Sequence, residues 1–414
     1  MPFVFFVFLA FALILVYFSV KSFFGGVAYL AYFRQELAKP ANLFTPFASI
    51  IAPCKGLDDG LRENLSALLE LDYSEYEVIF VVDDENDPAA AVIQEILNRR
   101  DAETQSQKNS ASRRLGGVNQ LVIANKAIDS SQKVENIREA VAHADARSEV
   151  FVFVDSDARP QEQCLRHLVT PLAEENVGAA TGYRWFLSKT PTLASELRSA
   201  WNSSIASALG PNVKSNFCWG GSMAIRREVW EQLDLSERLK GTLSDDFTVT
   251  RAMNDAGLEI RFVPQALTPS IENCTIRELF EFTNRQMKIT RVYATPLWLL
   301  SFFGSTLFCG VMLSAFLTIV LSGSNDLAVW ASIATLTIVS ALSIGKAWLR
   351  LKAVSLVIPQ AKRQLTPQLT LWLLAPPVFL WNCFAALLSR TINWRGSTYV
   401  MHSPTKTERL GAKK

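Results

Sequence analysis

The segment Val150-Phe151-Val152-Phe153-Val154-Asp155-Ser156-Asp157 is the clearest indication of the fold. Its five apolar residues, rich in β-branched and aromatic side chains, predict a short strand buried in a sheet. Two aspartates follow, and residues i and i+2 of an extended chain point the same way. Because ligands of open α/β sheets bind beyond the carboxyl ends of the strands, both carboxylates can face one ion or one phosphate group. An acidic turn after a strand is the alternative, and this stretch alone leaves it open.

The composition indicates a membrane protein with more than one structural unit. The chain has 414 residues, of which 49% are hydrophobic and 19% are charged. The net charge of +2 gives no indication of a nucleic-acid partner. None of the six cysteines forms a CxxC pair, so we predict reduced thiols, cytosolic or membrane-buried. Three scattered histidines argue against a histidine metal centre or a catalytic triad.

The N-terminal residues predict a retained membrane anchor. Residues 3–20 and 22–33 are almost entirely apolar, with Lys21 between them and Arg34 after them. A cleaved signal peptide would have a basic start, which this chain lacks. The apolar stretch is long enough to cross a bilayer. We therefore predict a transmembrane anchor over residues 1–34, with the chain after Arg34 in the cytosol.

The next segment, residues 45–270, predicts a cytosolic α/β domain. Its apolar runs predict strands and its amphipathic runs predict helices, and the two types alternate along the chain. Such alternation favours a Rossmann-like, mostly parallel sheet. The predicted strands are 48–52, 76–82 and 150–154, the predicted helices include 61–71 and 90–98, and the polar residues 101–120 predict a loop or insertion.

From residue 272 the chain changes character. Charged and apolar residues alternate as in a helix lying on a membrane surface, and long apolar stretches follow. The third apolar stretch is interrupted by a proline pair, which breaks helices. The predicted segments are an interfacial helix over 272–294, transmembrane helices within 297–392 (spans at 297–321 and 327–345, then 369–389 broken by Pro376-Pro377), and a basic C-terminal tail over 393–414.

Basic residues set the predicted topology. Residues 346–368 read as a loop with five lysines and arginines and no acidic residue, which places it in the cytosol. The prediction is an integral, multi-pass membrane protein with its α/β domain on the cytosolic face. If 369–389 crosses fully, the basic tail ends outside; a hairpin that returns at Pro376-Pro377 keeps the tail inside. The basic tail favours the hairpin, and both arrangements stay open.

Two further charged positions follow predicted strands or open predicted helices. Asp84 follows the strand that ends at Val82, where a carboxylate can accept hydrogen bonds from a nucleotide base. Lys133 opens a predicted helix, where its ammonium can balance the charge of a diphosphate. A capped acidic turn and a solvated surface lysine are the corresponding structural alternatives.

A second pair of carboxylates, Asp245 and Asp246, opens an amphipathic helix that runs through Met253. Acidic residues are common helix caps, so this position alone is ambiguous. The preceding turn, Trp219-Gly220-Gly221, lets backbone approach a ligand closely, because glycine has no side chain.

A larger set of motifs occurs in one order along residues 45–400. They are Pro53-Cys54-Lys55-Gly56-Leu57-Asp58, Glu70-Leu71-Asp72-Tyr73, Asp87-Pro88-Ala89, Lys133 with Asn136, Asp155-Ser156-Asp157-Ala158-Arg159, Gly221-Ser222-Met223, Asp245-Asp246 and Asn393-Trp394-Arg395-Gly396. Together they resemble the ceramide glucosyltransferases, membrane-bound enzymes of the inverting family-2/21 glycosyltransferase group with a GT-A fold. Each motif is weak alone, but the ordered set is specific.

The resemblance implies a reaction. A sugar, glucose in the family, would pass from a UDP-sugar to a lipid hydroxyl such as that of ceramide, giving a β-linked glycolipid. It also implies a divalent metal, Mn or Mg. By position, the implied roles are catalytic base for Asp246 with Asp245 beside it, metal binding for Asp155 and Asp157, uridine binding for Asp84, and donor binding for Lys55, Lys133, Asp155, Arg285 and Lys288.

The chain departs from the family on the interfacial helix. The family carries (Gln/Arg)-x-x-Arg-Trp, and the equivalent here is Arg285-Gln286-Met287-Lys288-Ile289. Lys288 keeps the charge but loses the bidentate geometry of arginine. Arg291, one turn further on, is a candidate replacement, and Trp394 with Arg395 is another. We group these three with Trp219 and Gly221 as predicted acceptor or interface residues.

Two other functions stay open at this point. A processive polysaccharide synthase shares the fold, but it needs a translocation pore built from more helices than the three or four hydrophobic segments here. A non-catalytic membrane scaffold that binds nucleotide sugars is compatible with the altered interfacial motif.

Overall fold

The computed structural model describes residues 2–40, 44–106, 117–322 and 326–411, with two compact units. The helical unit comprises the chain up to Gln35, Thr190–Ser207 and Asn273–Ser389. The sheet unit comprises Glu36–Lys189, Ala208–Glu272 and the chain from Arg390. Each unit is therefore built from segments that are distant in sequence.

The sheet unit contains a seven-stranded, mainly parallel sheet within the described residues. Its strands lie in the order β3-β2-β1-β4-β6-β5-β7, and β6 is antiparallel to both of its neighbours. The three predicted strands are present, and the predicted α/β fold is confirmed. The strands are β1 (Ala48–Pro53), β2 (Tyr76–Val82), β3 (Gln120–Ile123), β4 (Val150–Phe153), β5 (Val177–Leu187), β6 (Met223–Arg226) and β7 (Glu259–Ile271).

Helices cover this sheet and form the other unit. In chain order they are α1 (Pro2–Leu37), α2 (Leu61–Leu69), α3 (Pro88–Ser106), α4 (Gln132–Ala142), α5 (Cys164–Val169), α6 (Leu193–Ala206), α7 (Arg227–Gln232), α8 (Leu235–Arg238), α9 (Asp245–Asp255), α10 (Ile276–Tyr293), α11 (Thr295–Ser322), α12 (Leu327–Val354), α13 (Leu365–Thr370) and α14 (Ala375–Leu388). Short 3-10 helices occupy Thr170–Ala173, Pro359–Gln364 and Leu371–Leu373.

The central strand β4 explains why the sheet is stable. Phe151 and Phe153 are buried, and the ring of Trp230 stacks on Phe153 with centroids 5.2 Å apart. Burial of one such side chain contributes about 1.5–3 kcal/mol. Val152, on the opposite face of the strand, is buried as well, so the strand that delivers Asp155 and Asp157 is packed on both faces.

Two predicted loops are wrong in part. Residues 101–106 continue α3, because this stretch contains no helix breaker, and Gln120 begins β3; residues 107–116 lie outside the described residues. The predicted loop over 346–368 begins with the last nine residues of α12. Two of its cations face the interior of the helical unit: Lys346 Nζ donates to Ser22 Oγ over 2.8 Å, and Arg350 Nη2 donates to Gln368 Oε1 over 3.1 Å.

Among the described residues, three helices are long and apolar enough to cross a membrane: α1, α11 and α12. The segments Pro359–Leu373 and Ala375–Leu388 meet at a bend of 60°, as in a broken span or a re-entrant loop. Pro376 and Pro377 lie in the first turn of α14, where the missing N–H groups break no intrahelical bond. The bend therefore falls immediately before the proline pair, and both predicted topologies stay open.

The interfacial region contains α10, which begins with a capping box between Thr275 and Glu278. Its buried residues recur at helical spacing, with Leu279, Thr283 and Met287 one turn apart. The opposite face carries exposed Arg277 paired with Glu281. The helix is thus amphipathic over its length.

The predicted basic tail is folded. It forms a three-stranded antiparallel sheet within the sheet unit, made of β8 (Thr391–Trp394), β9 (Ser397–Ser403) and β10 (Lys406–Arg409). Tyr399 and Met401 are buried and one strand period apart. This sheet is called the C-terminal sheet below; residues 412–414 lie outside the described residues.

Candidate active site

The candidate site lies where parallel strands end. β1, β2 and β4 run in the same direction, so their carboxyl ends share one edge of the sheet. Lys55 follows β1, Asp83 and Asp84 follow β2, and Asp155 follows β4. This is the edge at which open α/β sheets bind ligands.

Two cations hold the carboxylates of the Asp155-Ser156-Asp157 segment. Lys133 Nζ lies 2.8 Å from Asp155 Oδ1. Arg184 spans both aspartates, with Nη2 2.9 Å from Asp155 Oδ2 and Nη1 3.0 Å from Asp157 Oδ2. The carboxylates of Asp155 and Asp157 therefore point in the same direction, as their spacing predicts, and both bind the Arg184 guanidinium.

Lys133 was predicted from the sequence as a donor-binding residue, whereas Arg184 was not. Arg184 lies in β5, whose other residues from Val177 to Leu187 are buried. Its side chain is only 12% exposed. A single arginine within a long apolar strand could have identified Arg184, because a buried charge requires a partner of opposite charge.

The ion pairs fix the charge states of the site. Burial alone would raise the pKa of Asp155, but Lys133 and Arg184 hold it below the ordinary value. Burial would lower the pKa of Lys133 and that of Arg184, but the neighbouring carboxylates raise both above their ordinary values. Both cations therefore stay charged at neutral pH.

The residues also fit a divalent metal. Asp157 Oδ1 is buried and, within the described part of the chain, has no hydrogen-bond partner. The described residues hold no cluster of three or more histidine, cysteine, aspartate or glutamate side chains suited to a metal. Mg²⁺, however, is commonly bound by one or two carboxylates together with substrate phosphates. Asp155 and Asp157 match that pattern.

The second carboxylate pair begins α9. Ser244 caps the helix by accepting from Phe247 N, which places Asp245 and Asp246 in the first turn. Lys133 Nζ lies 3.0 Å from Asp245 Oδ2, and Gly220 N donates to Asp246 Oδ1 over 2.5 Å. Lys133 thus bridges the two acidic segments that the sequence singled out.

Asp246 has an environment suited to proton transfer. Burial and the neighbouring Asp245 carboxylate raise the pKa of Asp246 to about 7, against the opposing effect of Lys133. A carboxylate with a pKa near the working pH can accept a proton and later release it. Asp246 is therefore the candidate general base.

Gly220 approaches this pair too closely for any side chain. A Cβ at this position would overlap the Asp245 carboxylate and lie 3.0 Å from Asp246 Oδ1. Gly220→Ala is therefore expected to displace the start of α9 and to reduce turnover about 100-fold, the effect of a misplaced reacting group. Overpacking would also destabilise the fold by about 1–3 kcal/mol. Initial rates and thermal unfolding of the purified variant measure both effects.

The matched control is Gly210→Ala, because a Cβ at Gly210 meets no atom within 4 Å. This variant should retain the wild-type rate. A Gly220→Ala protein with an unchanged rate would show that the backbone approach to Asp246 is unimportant.

Lys55 and Asp84 lie further out on the same edge. Lys55 Nζ pairs with buried Asp83 over 2.9 Å. Asp84 is partly exposed and pairs with Lys126 over 3.0 Å, a partner that sequence reasoning missed. A backbone hydrogen bond from Asn86, together with Lys126, lowers the pKa of Asp84.

Trp219 packs beside Arg184, and Gly221 lies against the Trp219 ring. The Arg184 guanidinium lies 4.8 Å from the Trp219 ring centroid, and Tyr183 packs against the same ring. A Cβ at Gly221 would overlap that ring. Trp219 is 6% exposed, so in this structure it supports Arg184.

Trp394 and Arg395 lie at the first turn of the C-terminal sheet. Arg395 Nη2 is 2.5 Å from Asp58 Oδ1, and its Nη1 donates to the backbone oxygen of Lys55 over 3.3 Å. Arg395 thus joins the edge that carries Lys55. Trp394 is half-buried.

Arg285, Lys288 and Arg291 belong to the helical unit. Arg291 Nη1 donates to the backbone oxygens of Ala386 and Leu387 over 2.6 and 3.1 Å, which caps the end of α14. Burial lowers the pKa of Lys288. The ion pairs and the hydrogen bond described above for the two acidic segments are all made by residues of the sheet unit.

Comparison with known protein families matches residues 10–407 to the family described as Glycosyl transferase family 21. Similar solved structures include the mannosyltransferase PcManGT from Pyrobaculum calidifontis in complex with GDP-Man and Mn²⁺, at 20% identity over 90% of this chain and 99% of that chain, with a TM-score of 0.43. Another is glucosyl-3-phosphoglycerate synthase from Mycobacterium tuberculosis in complex with Mn²⁺ and UDP-glucose, at 13% identity over 63% of this chain and 80% of that chain, with a TM-score of 0.34.

Proposed function

The chain belongs to glycosyl transferase family 21 and is a glycosyltransferase, and we propose that it moves glucose from UDP-glucose to a lipid hydroxyl such as that of ceramide. The observation that carries the proposal is the position of Lys133. Its ammonium joins Asp155, at the donor side, to Asp245, beside the candidate base Asp246. A donor site and a proton acceptor therefore lie within one ion-pair network.

On the donor side, Asp155 and Asp157 would hold a Mn²⁺ or Mg²⁺ ion. That metal supplies charge stabilisation to the departing diphosphate. Lys133 and Arg184 would each offer positive charge to a diphosphate, because both remain protonated among the carboxylates. Lys55 and Asp84, at the same edge, are the candidates to contact the uridine.

On the acceptor side, Asp246 would take the proton of the lipid hydroxyl while that oxygen attacks the anomeric carbon. The Gly220 N–H fixes one carboxylate oxygen and leaves the other for the substrate. A single displacement from the face opposite the leaving UDP converts an α-linked donor into a β-glycoside.

The helical unit supports a lipid acceptor. α1, α11 and α12 are suited to a bilayer, and α10 has the amphipathic pattern of a helix at its surface. We propose a multi-pass membrane protein with the sheet unit on the cytosolic face. The acceptor would be a lipid of that bilayer, and we propose that Arg285 and Lys288 on α10 take part in donor binding, as the family resemblance implies.

The pH dependence of the rate follows from the environment of Asp246. Below its pKa the carboxyl is protonated and cannot accept the hydroxyl proton, so kcat/KM should rise with pH through about 7. On the acid side the rate should fall about tenfold per pH unit. Initial rates between pH 5.5 and 8.5, with thermal unfolding followed at each pH, measure this. A rate that stays flat down to pH 5.5 in a folded protein would contradict the assignment of Asp246 as the base.

The product tests the function directly. Incubation with UDP-glucose and ceramide, followed by mass spectrometry and NMR of the extracted lipid, should give one β-linked hexose per lipid. A polymer would instead support the processive synthase. An α-linkage would exclude the single displacement.

A further inference from the structure

The turn between β8 and β9 places an arginine in an unusual backbone conformation. Trp394 pairs with Ser397, so Arg395 and Gly396 alone form the turn, with φ values of 50° and 75°. Two positive φ angles define a type I′ hairpin turn, in which Asn-Gly is the preferred pair. A long side chain at the first position is disfavoured. Contacts of the Arg395 side chain must therefore offset the unfavourable backbone conformation.

The Arg395 side chain points at the donor edge. Its guanidinium contacts the Asp58 carboxylate and the Lys55 backbone oxygen, and it also interacts electrostatically with Asp155 and Asp157. The side chain is 37% exposed, whereas those of Lys133 and Arg184 are 13% and 12% exposed. Among these three cations, Arg395 has the most surface available to an incoming ligand.

Asp58 connects this turn to the metal-binding segment. Its Oδ1 faces Arg395, while its Oδ2 accepts from Ser156 Oγ over 2.6 Å. Ser156 lies between the two predicted metal ligands. The carboxylate thus holds the guanidinium next to the end of β4.

The C-terminal sheet is anchored to the loops that carry the site. Tyr399 Oη accepts from Gln132 N over 3.3 Å, one residue before Lys133. Thr407 N donates to Gly241 O over 2.8 Å, shortly before α9. The position of Arg395 is therefore fixed relative to Lys133 and to the helix that carries Asp246.

We propose that Arg395 binds the diphosphate of the nucleotide-sugar donor, and that Asp58 orients the guanidinium for it. The proposal rests on the proposed function, because it names a further residue of the same donor site. A guanidinium has five N–H donors and matches phosphate oxygens in a bidentate manner. The cost of an arginine in this turn is then explained by substrate binding.

The test is Arg395→Asn in the full-length, detergent-purified protein. Asparagine suits the type I′ turn, which offsets the lost ion pair with Asp58, so the protein should remain folded with a melting temperature close to that of the wild type. Calorimetry with Mg²⁺ would measure the affinities for UDP and for UMP. Loss of a charge-assisted phosphate contact should weaken UDP binding about 10- to 100-fold, with UMP binding changed less than about threefold. Arg395→Lys, which keeps the charge, should give an intermediate loss.

Arg390→Asn is the matched control, because Arg390 is exposed beside the same sheet and donates to the backbone oxygen of His402. It should bind UDP as the wild type does. Wild-type affinity for UDP in Arg395→Asn, or an equal loss for UDP and UMP, would overturn the diphosphate assignment. A wild-type protein that binds no UDP would overturn the proposed function itself, which separates the two failures.

Discussion

Asp246→Asn is expected to reduce sugar transfer by about 100- to 10,000-fold while leaving donor binding largely intact. Asparagine keeps the shape of the side chain and can still accept the hydrogen bond from Gly220 N. It cannot take a proton from the acceptor hydroxyl. The loss should therefore appear in kcat, with the affinity for UDP-glucose within a few-fold of the wild type.

Rates of UDP release and calorimetric titration of UDP measure the two quantities on one preparation. Asp255→Asn is the matched control, because Asp255 ends the same helix and its carboxylate is exposed near Arg238. That variant should keep the wild-type rate. An Asp246→Asn protein with more than about a tenth of the wild-type rate would exclude Asp246 as the base.

Asp157→Ala is expected to remove the dependence of donor binding on a divalent metal. Asp157 presents a buried carboxylate oxygen that, among the described residues, has no hydrogen-bond partner, and its other oxygen holds Arg184. Loss of this ligand should weaken metal affinity by at least about 100-fold, since even outer-shell partners of metals contribute 10- to 100-fold. UDP titrations with and without Mn²⁺ should then give the same affinity.

The control for this variant is Asp72→Ala, because Asp72 is a half-exposed aspartate whose ion pair with Arg166 spans 3.6 Å. It should bind UDP more tightly with Mn²⁺ than without, as the wild type should. A persistent metal effect on UDP binding in Asp157→Ala would place the metal on other residues.

The sheet was predictable because its central strands are continuous apolar runs. β2 has the predicted bounds, and β1 and β4 differ from prediction by one residue at one end. The family could be predicted for a different reason. Its motifs lie at the ends of strands and the starts of helices, and they follow one another in a fixed order along the chain. The match over residues 10–407 confirms it.

The parts that sequence reasoning missed depend on contacts between distant segments. Arg184 meets Asp155 and Asp157 only because β5 lies near β4 in the sheet, with β6 between them. Arg395 meets Asp58 across more than 330 residues of chain. The predicted loop after residue 345 is a further example. Lys346 lies within α12, and its ammonium donates to Ser22, which is distant in sequence. Local patterns report strand and helix formation, but they do not report which charges become paired.

The decisive experiment is to measure UDP release by the detergent-purified protein, with Mn²⁺ or Mg²⁺, over a matrix of UDP-sugars and lipid acceptors. Asp246→Asn is assayed beside the wild type. If Asp246 is the base of a lipid glycosyltransferase, release requires one donor together with one lipid hydroxyl and is lost in the variant. Release that is independent of any lipid, or that persists in Asp246→Asn, would contradict this mechanism. Absence of release with every pair, in a folded protein that binds UDP, would contradict the proposed donor and acceptor.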